Sequence, residues 1–402
     1  MKEPKIRFKG FSGEWKRSTL GDLALFSKGS GYSKSDICKE GTPVILYGRM
    51  YTKYQSVFDE IDTFVNPKDN SVVSKGGEVI IPGSGESSED ISLAAMVKNE
   101  GVILGGDLNI LKFNQKVNDP AFMSMAITYS PTRAELSSYS QGKTVVHLRN
   151  SEIAKGTIRY PNISEQNTIV NYVLSLDAQI SASTSRLVSL KQMKAASLQA
   201  MFPQEGETVP KVRFKEFKGE WDKQSASDLF LSIDERNRPE LPVLSACQDI
   251  RGMIPREKIG FNVSHDTSNE VTYKRVKPGQ FVIHLRSFQG GFAHSSYDGI
   301  ISPAYTVFDF KDKERHDDYY WKIVFMSRAF IDRLRLITYG IRDGRSINFD
   351  EFKNLLFLFP SKEEQHAIST FFRSLDRQIA LHTQRLEKLK QIKAACLDKM
   401  FV

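Results

Sequence analysis

Between residues 161 and 202 the apolar positions Ile169, Val173, Leu176, Ile180, Leu187, Leu190 and Met201 fall in a four-three alternation with polar residues between them. Such spacing lines one stripe of an α-helix and predicts a coiled-coil seam. The pattern returns at Ile368, Phe372, Leu375, Ile379, Leu386, Leu389 and Met400, and the ungapped stretches 161–202 and 360–401 agree at 21 of 42 positions. The chain is therefore two copies of one design. Ser183, Lys194 and their counterparts are weak points in each seam. Neither stretch holds an internal Pro or Gly after its first residue, and each opens on a start signal, Asn162 with Glu165 and Ser361 with Glu364. A short polar side chain three residues before a Glu can cap the free N–H groups reciprocally. A helix of about 38 residues reaches roughly 57 Å, longer than most single domains can cover, so the two helices are expected to pair with each other. The second globular segment runs from one helix directly into the other. That connection predicts an antiparallel pair with a globular domain at each end, related by a pseudo-twofold axis.

The globular segments carry the shorter periodicities of strands. KIRFKGFSGEW at 5–15 returns as KVRFKEFKGEW at 211–221, with 8 of 11 positions identical. Ser74 to Asp90 followed by Gly101 to Phe113, and Val276 to Phe292 followed by Gly299 to Phe310, both read as turn, apolar strand, Gly-rich polar loop and β-branched strand. Helices are predicted at Pro120 to Tyr129 and Asp317 to Leu336, and each segment then reaches a basic turn at Gly142-Lys143-Thr144-Val145 or Gly344-Arg345-Ser346-Ile347. The fold class is α+β, two α/β domains with mainly antiparallel sheets and two long helices. The divisions are 1–160, 161–202, 203–359 and 360–402.

Composition narrows the chemistry only a little. Fifty-six Lys plus Arg against 48 Asp plus Glu give a net charge of +8 over 402 residues, a balance that favours polyanions without requiring them. Three widely spaced cysteines fit a reducing compartment and no disulfide framework. No apolar run approaches a membrane span and MKEPKIRFKG lacks a hydrophobic signal core, so the expected location is cytoplasmic.

Catalytic patterns fail one after another. Gly142-Lys143-Thr144 looks like the end of a phosphate-binding loop, but Ser137 stands where that motif needs Gly. Asp343, Glu351 and Lys353 loosely resemble a nuclease set that the first copy does not preserve. The strings of a base methyltransferase are missing, and Gly83-Ser84-Gly85 reads as a turn between strands. CxxC and HExxH spacings are absent, so no metal is expected. Binding rather than catalysis is the expectation.

The whole chain resembles the specificity subunit of Type I restriction-modification systems, especially its half-repeat form. The resemblance rests on two dissimilar segments alternating with two near-identical helices, the repeated RFKxFxGEW and the repeated LKQxKAAxLxxMF. It implies two target recognition domains, each reading one half of an asymmetric, interrupted sequence in double-stranded DNA, with the helices as spacer. It also implies two modification (methyltransferase) subunits and restriction (translocase/endonuclease) subunits docked on a chain that is not itself an enzyme. S-adenosylmethionine, ATP and Mg²⁺ are then used by those partners, and no cofactor is bound by this chain.

Base readers are sought among Arg, Lys, Asn, Gln, Ser and Thr on loops. In the second segment HLRSFQGGF offers Arg286, Ser287 and Gln289. In the first, Ser84 and Ser87 sit on the corresponding loop, and Arg49, Lys53 and Tyr54 of YGRMYTKY are further candidates. Lys143 and Arg345, on corresponding turns, are expected at phosphates. Each also reads as an exposed polar loop residue. The rivals are a coiled-coil scaffold with no role for DNA, which salt-independent behaviour toward duplex DNA would reveal, and a nuclease or methyltransferase fused to its own reader, which would act alone.

Overall fold

The structure is a computed structural model and describes residues 3–142, 145–204, 206–247, 252–258, 267–284, 291–337 and 347–402. The chain forms two compact units, residues 1–185 with 384–402, and residues 186–383. The long helices run over Ile163–Ala200 and Lys362–Lys399, so each contributes a part to each unit.

In the first unit a five-stranded sheet has the order Ala24–Lys28, Leu108–Phe113, Glu78–Pro82, Ala95–Val97, Val57–Phe58. Its pairs are antiparallel except the last, which is parallel. All five residues of Glu78–Pro82 are buried, as befits a strand covered on both faces. A second five-stranded sheet contains one further parallel pair, Glu100–Leu104 beside Thr42–Ile45. The expected mainly antiparallel character thus holds among the described residues, with two parallel strand pairs and a few isolated parallel bridges. The helix Pro120–Tyr129 lies where its sequence predicts, with Pro at its first position and Asp119 accepting from the N–H groups of Ala121 and Phe122 at 2.8 and 3.0 Å.

The second unit holds a four-stranded antiparallel sheet in the order Phe230–Ile233, Thr306–Phe310, Phe281–Ile283, Phe292–His294. Its core is aromatic: Phe230, Phe281, Phe292, Phe308, Phe325, Phe352 and Trp321 pack together with centroid spacings from 5.1 Å. The single helix expected from Asp317 to Leu336 is two, Asp318–Met326 and Arg328–Ile337. Ser327 is extended and its hydroxyl accepts from the Phe330 N–H at 3.2 Å, so it ends one helix and caps the next. The first unit makes the same break at Ser130, which caps Pro131–Tyr139.

The repeated sequences meet in both units. Arg7 donates from Nε and Nη2 to the two carboxylate oxygens of Glu165 at 2.8 Å each, and Arg213 does the same to Glu364 at 2.7 Å. The next residue is equally occupied. Gln166 accepts from the Asp119 N–H at 2.8 Å and donates to the Pro161 carbonyl at 2.9 Å; Gln365 repeats this with Asp317 and Pro360 at 3.0 and 2.9 Å. Half of each predicted capping box is present, because Asn162 and Ser361 accept from the N–H groups of Glu165 and Glu364. The returning half is replaced, because an arginine claims the glutamate side chain with two charge-assisted bonds.

Within each unit the parts of the long helices run antiparallel. In the first, Ile169, Val173 and Leu176 share a core with Leu389, Cys396 and Met400, and Asp177 pairs with Lys393. In the second, Leu190 and Met201 share a core with Ile368, Phe372 and Leu375, and Lys194 pairs with Asp376 at 2.6 Å. Asp376 and Lys393 are the repeat counterparts of Asp177 and Lys194, so one bridge is built twice with the helices exchanged. The weak seam position Lys194 is therefore a bridge. Among the described residues no helix is long and apolar enough to cross a membrane, and Cys38, Cys247 and Cys396 are free thiols.

Candidate nucleic-acid interface

Two closely crossing loops of the first unit create an open cleft of about 560 Å³, lined by Lys28, Gly83, Ser84, Asp107 and residues 147–151. The crossing is backbone-built. The Gly83 N–H donates to the Asp107 carbonyl at 2.5 Å, the Leu148 N–H donates to the Gly83 carbonyl at 3.1 Å, and Val146–His147 pairs with Ser84–Gly85. Asp107 has φ +58°, a left-handed conformation that Asp tolerates better than most side chains. A Cβ at Gly83 would sit 3.1 Å from both the Asp107 carbonyl and Lys28 Nζ, so the missing side chain lets the ammonium close over the loop.

The side chains then sort by alternation. Val146 and Leu148 point into the core, while His147 and Arg149 are exposed at the cleft. His147 Nδ1 lies 3.1 Å from Ser84 Oγ. Asn109, fully buried, donates to the Pro82 and Leu148 carbonyls at 3.2 and 2.9 Å and locks the two loops together. Asn150 donates to the Ser27 carbonyl at 3.0 Å. Lys28 has its pKa lowered, chiefly by burial of its ammonium and further by Arg149, against the opposing pull of Asp107. Among the described residues neither Lys28 nor Arg149 forms an ion pair.

The residues expected from the sequence are dispersed. Ser84 lies in the cleft, almost fully buried, with its carbonyl accepting from the Tyr51 hydroxyl at 2.6 Å. Ser87 donates to the Asp90 carboxylate at 2.6 Å and accepts from the Asp90 N–H at 3.1 Å, the geometry of a turn. Arg49 and Lys53 both bind Asp62, whose carboxyl they hold far below its usual range. The Arg49 guanidinium also stands 5.5 Å from the Phe58 ring and its side chain is only 10% exposed. Tyr54 turns inward, and its hydroxyl donates to the Ala94 carbonyl at 2.9 Å, packed on the core that contains Phe58 and Ile80. Burial raises its pKa. Lys143, Arg286, Ser287, Gln289 and Arg345 lie outside the described residues. No motif in the sequence marks Lys28, His147 or Arg149, which the fold brings to one cleft. The in-out alternation of Val146-His147-Leu148-Arg149 is the signal that would have found two of the three.

The described residues of the second unit carry a different charge pattern. Arg275 bridges Glu235 and Asp298 at 2.7 Å each, and Lys277 and Arg275 hold the Glu235 carboxyl down to about 2. Among the described residues no group of three His, Cys, Asp or Glu is placed to hold a metal ion.

Two repeated α+β units, each joined to parts of two long helices that run antiparallel within it, define a duplicated architecture. The sequence pattern of the Type I restriction modification DNA specificity domain matches residues 12–192 and again 219–391, and the chain belongs to that family. The chain is similar in fold to the Type I restriction-modification system S subunit from M. genitalium, with a TM-score of 0.61 at 13% identity, covering 100% of this chain and 99% of that one. The HsdS subunit from Thermoanaerobacter tengcongensis is 16% identical, with a TM-score of 0.47 and 96% of each chain covered. No curated protein matches the sequence.

Proposed function

We propose that this chain is the DNA-reading, non-catalytic subunit of a Type I restriction-modification complex, with each unit reading one half of an asymmetric two-part site in duplex DNA. The observation that carries this reading is the duplication of frame without duplication of contents. The Arg–Glu–Gln clamp and the Asp–Lys bridge are built twice with the same residue types, whereas the sheets and exposed charges differ between the units. Two different reading surfaces on one repeated frame recognise two different half-sites. Repeated helices of 38 residues each, long enough for roughly 57 Å, support a role in fixing the number of unread base pairs between them.

Methyl transfer and cleavage then belong to docked modification and restriction subunits, which use S-adenosylmethionine, ATP and Mg²⁺. The repeat supplies two equivalent docking places for modification subunits. Selection from a randomised duplex library by this chain co-purified with its cognate modification subunit tests the reading. Enrichment of a two-part asymmetric motif with a fixed gap is expected, with log affinity falling against log salt. Recovery of no motif, with binding independent of salt, would instead fit a coiled-coil scaffold.

A further inference from the structure

We propose that Lys28, His147 and Arg149 read base identity in the first half-site, and that the base pair they face is G·C. This inference rests on the reading above that the first unit binds duplex DNA. The three side chains share one cleft, approach it from two strand ends, and are held there by a backbone crossing rather than by a free loop. Lysine and arginine are donors without acceptors, and the imidazole, with Nδ1 at Ser84, presents Nε2. A donor-rich cluster matches the major-groove edge of guanine, whose O6 and N7 are both acceptors.

Asp107 decides between base and backbone. Asp107 lines the same cleft, and its negative charge acts on the Lys28 ammonium. An anion repels phosphate, yet it can accept from the N4 amino group of cytosine. Donors beside one acceptor thus fit the two partners of a G·C pair better than they fit a phosphodiester.

The second copy supplies an independent comparison. The helix and strand after the repeated opening motif are offset by 206 residues between copies, so Asp234 takes the place of Lys28. The short helix before the last strand is offset by 199, so Asn348 takes the place of Arg149. Asp234 is paired with Arg236, and Asn348 is committed to capping Phe349–Phe352. The short helices beside these two positions are copied while the two cations are exchanged for an acid and an amide. That is the behaviour of positions that specify rather than support.

The library selection, repeated on the full complex carrying Lys28→Ala, His147→Ala or Arg149→Ala, tests the assignment. Arg149→Ala and Lys28→Ala are each expected to reduce the preference for guanine at one position of the first half-site by about 10- to 100-fold. His147→Ala is expected to relax the same or the neighbouring position. The second half-site, read in the same experiment, stays intact and reports that the chain is folded. Equal loss on every sequence with an unchanged motif would make these residues phosphate contacts and overturn the assignment, as would three variants indistinguishable from the parent. A parent complex that yields no two-part motif removes the functional reading itself, and this inference with it.

Discussion

Arg7 and Glu165, 158 residues apart, face each other through two parallel hydrogen bonds of 2.8 Å, with the glutamate side chain 1% exposed. The arginine also donates to the Gly13 and Ser12 carbonyls at 2.6 and 3.2 Å, so it ties the opening motif to the start of the long helix. Removing it strands a buried carboxylate. Arg7→Ala is expected to cost about 2 to 4 kcal/mol, whereas Glu165→Gln, which keeps an acceptor, costs less. Hydrogen exchange checks the locality: protection should fall over residues 163–170 and hold over 362–369, where Arg213 and Glu364 make the same pair. A loss confined to neither region would contradict the clamp.

His316 makes the second unit sensitive to acid. Its ring stacks 4.8 Å from Phe310 and meets Trp321 and Phe359 edge-on, which buries it and lowers its pKa to about 4. Arg315 and Lys362 add to the lowering and Asp312 opposes it. The unfolded chain, with an ordinary histidine near 6.5, binds the proton more readily. Stability from this group is therefore complete above about pH 6.5 and is lost as pH falls toward 4, by about 1 to 3 kcal/mol after allowance for solvent. Thermal melts of His316→Phe and the parent, compared at pH 7.5 and pH 5, should converge at the lower pH or cross in favour of the variant. Parallel shifts would show that His316 does not carry the effect.

Tyr54→Phe separates packing from recognition. Its hydroxyl donates to the Ala94 carbonyl, so the variant should lose about 1 kcal/mol of stability. The half-site selected from a random library should remain the same, since the group faces the core. A changed base preference would return Tyr54 to the DNA-contacting residues.

The long helices make a prediction of their own. Deleting residues 181–187 and 380–386 removes one seven-residue repeat from each seam and about 10 Å from each helix. The unread gap should shorten by about three base pairs at roughly 3.4 Å per step, with both half-sites unchanged. Footprinting or library selection reads the gap directly, and a gap of unaltered length would remove the spacer role.

Much of the frame was legible because the chain states it twice. The seam from Ile169 to Met201 and the start signals at Asn162 and Ser361 needed only periodicity and a second copy. What the helix-start glutamates would bind was not legible, because a capping box and an arginine clamp begin from the same Glu165 and only tertiary proximity chooses. The break at Ser327 was readable in principle from Ser130-Pro131 in the other copy, where proline makes it explicit. The cleft was least legible. Polar residues such as Ser87 and Arg49 spend their side chains on Asp90 and Asp62, and local composition does not disclose that. Lys28 and Arg149, 121 positions apart, meet through a relay of strand pairings, Lys28 beside Asn109, Asn109 beside Ile81 and Ser84 beside His147, which no local window reports.

The most direct measurement is genome-wide adenine methylation in a host without other such systems, expressing this chain with its cognate modification subunit. The account predicts one asymmetric two-part motif with a fixed unread gap, and replacement of only one half when residues 211–355 are exchanged for those of another specificity chain. No new methylation, with the same modification subunit active beside a different specificity chain, would contradict it.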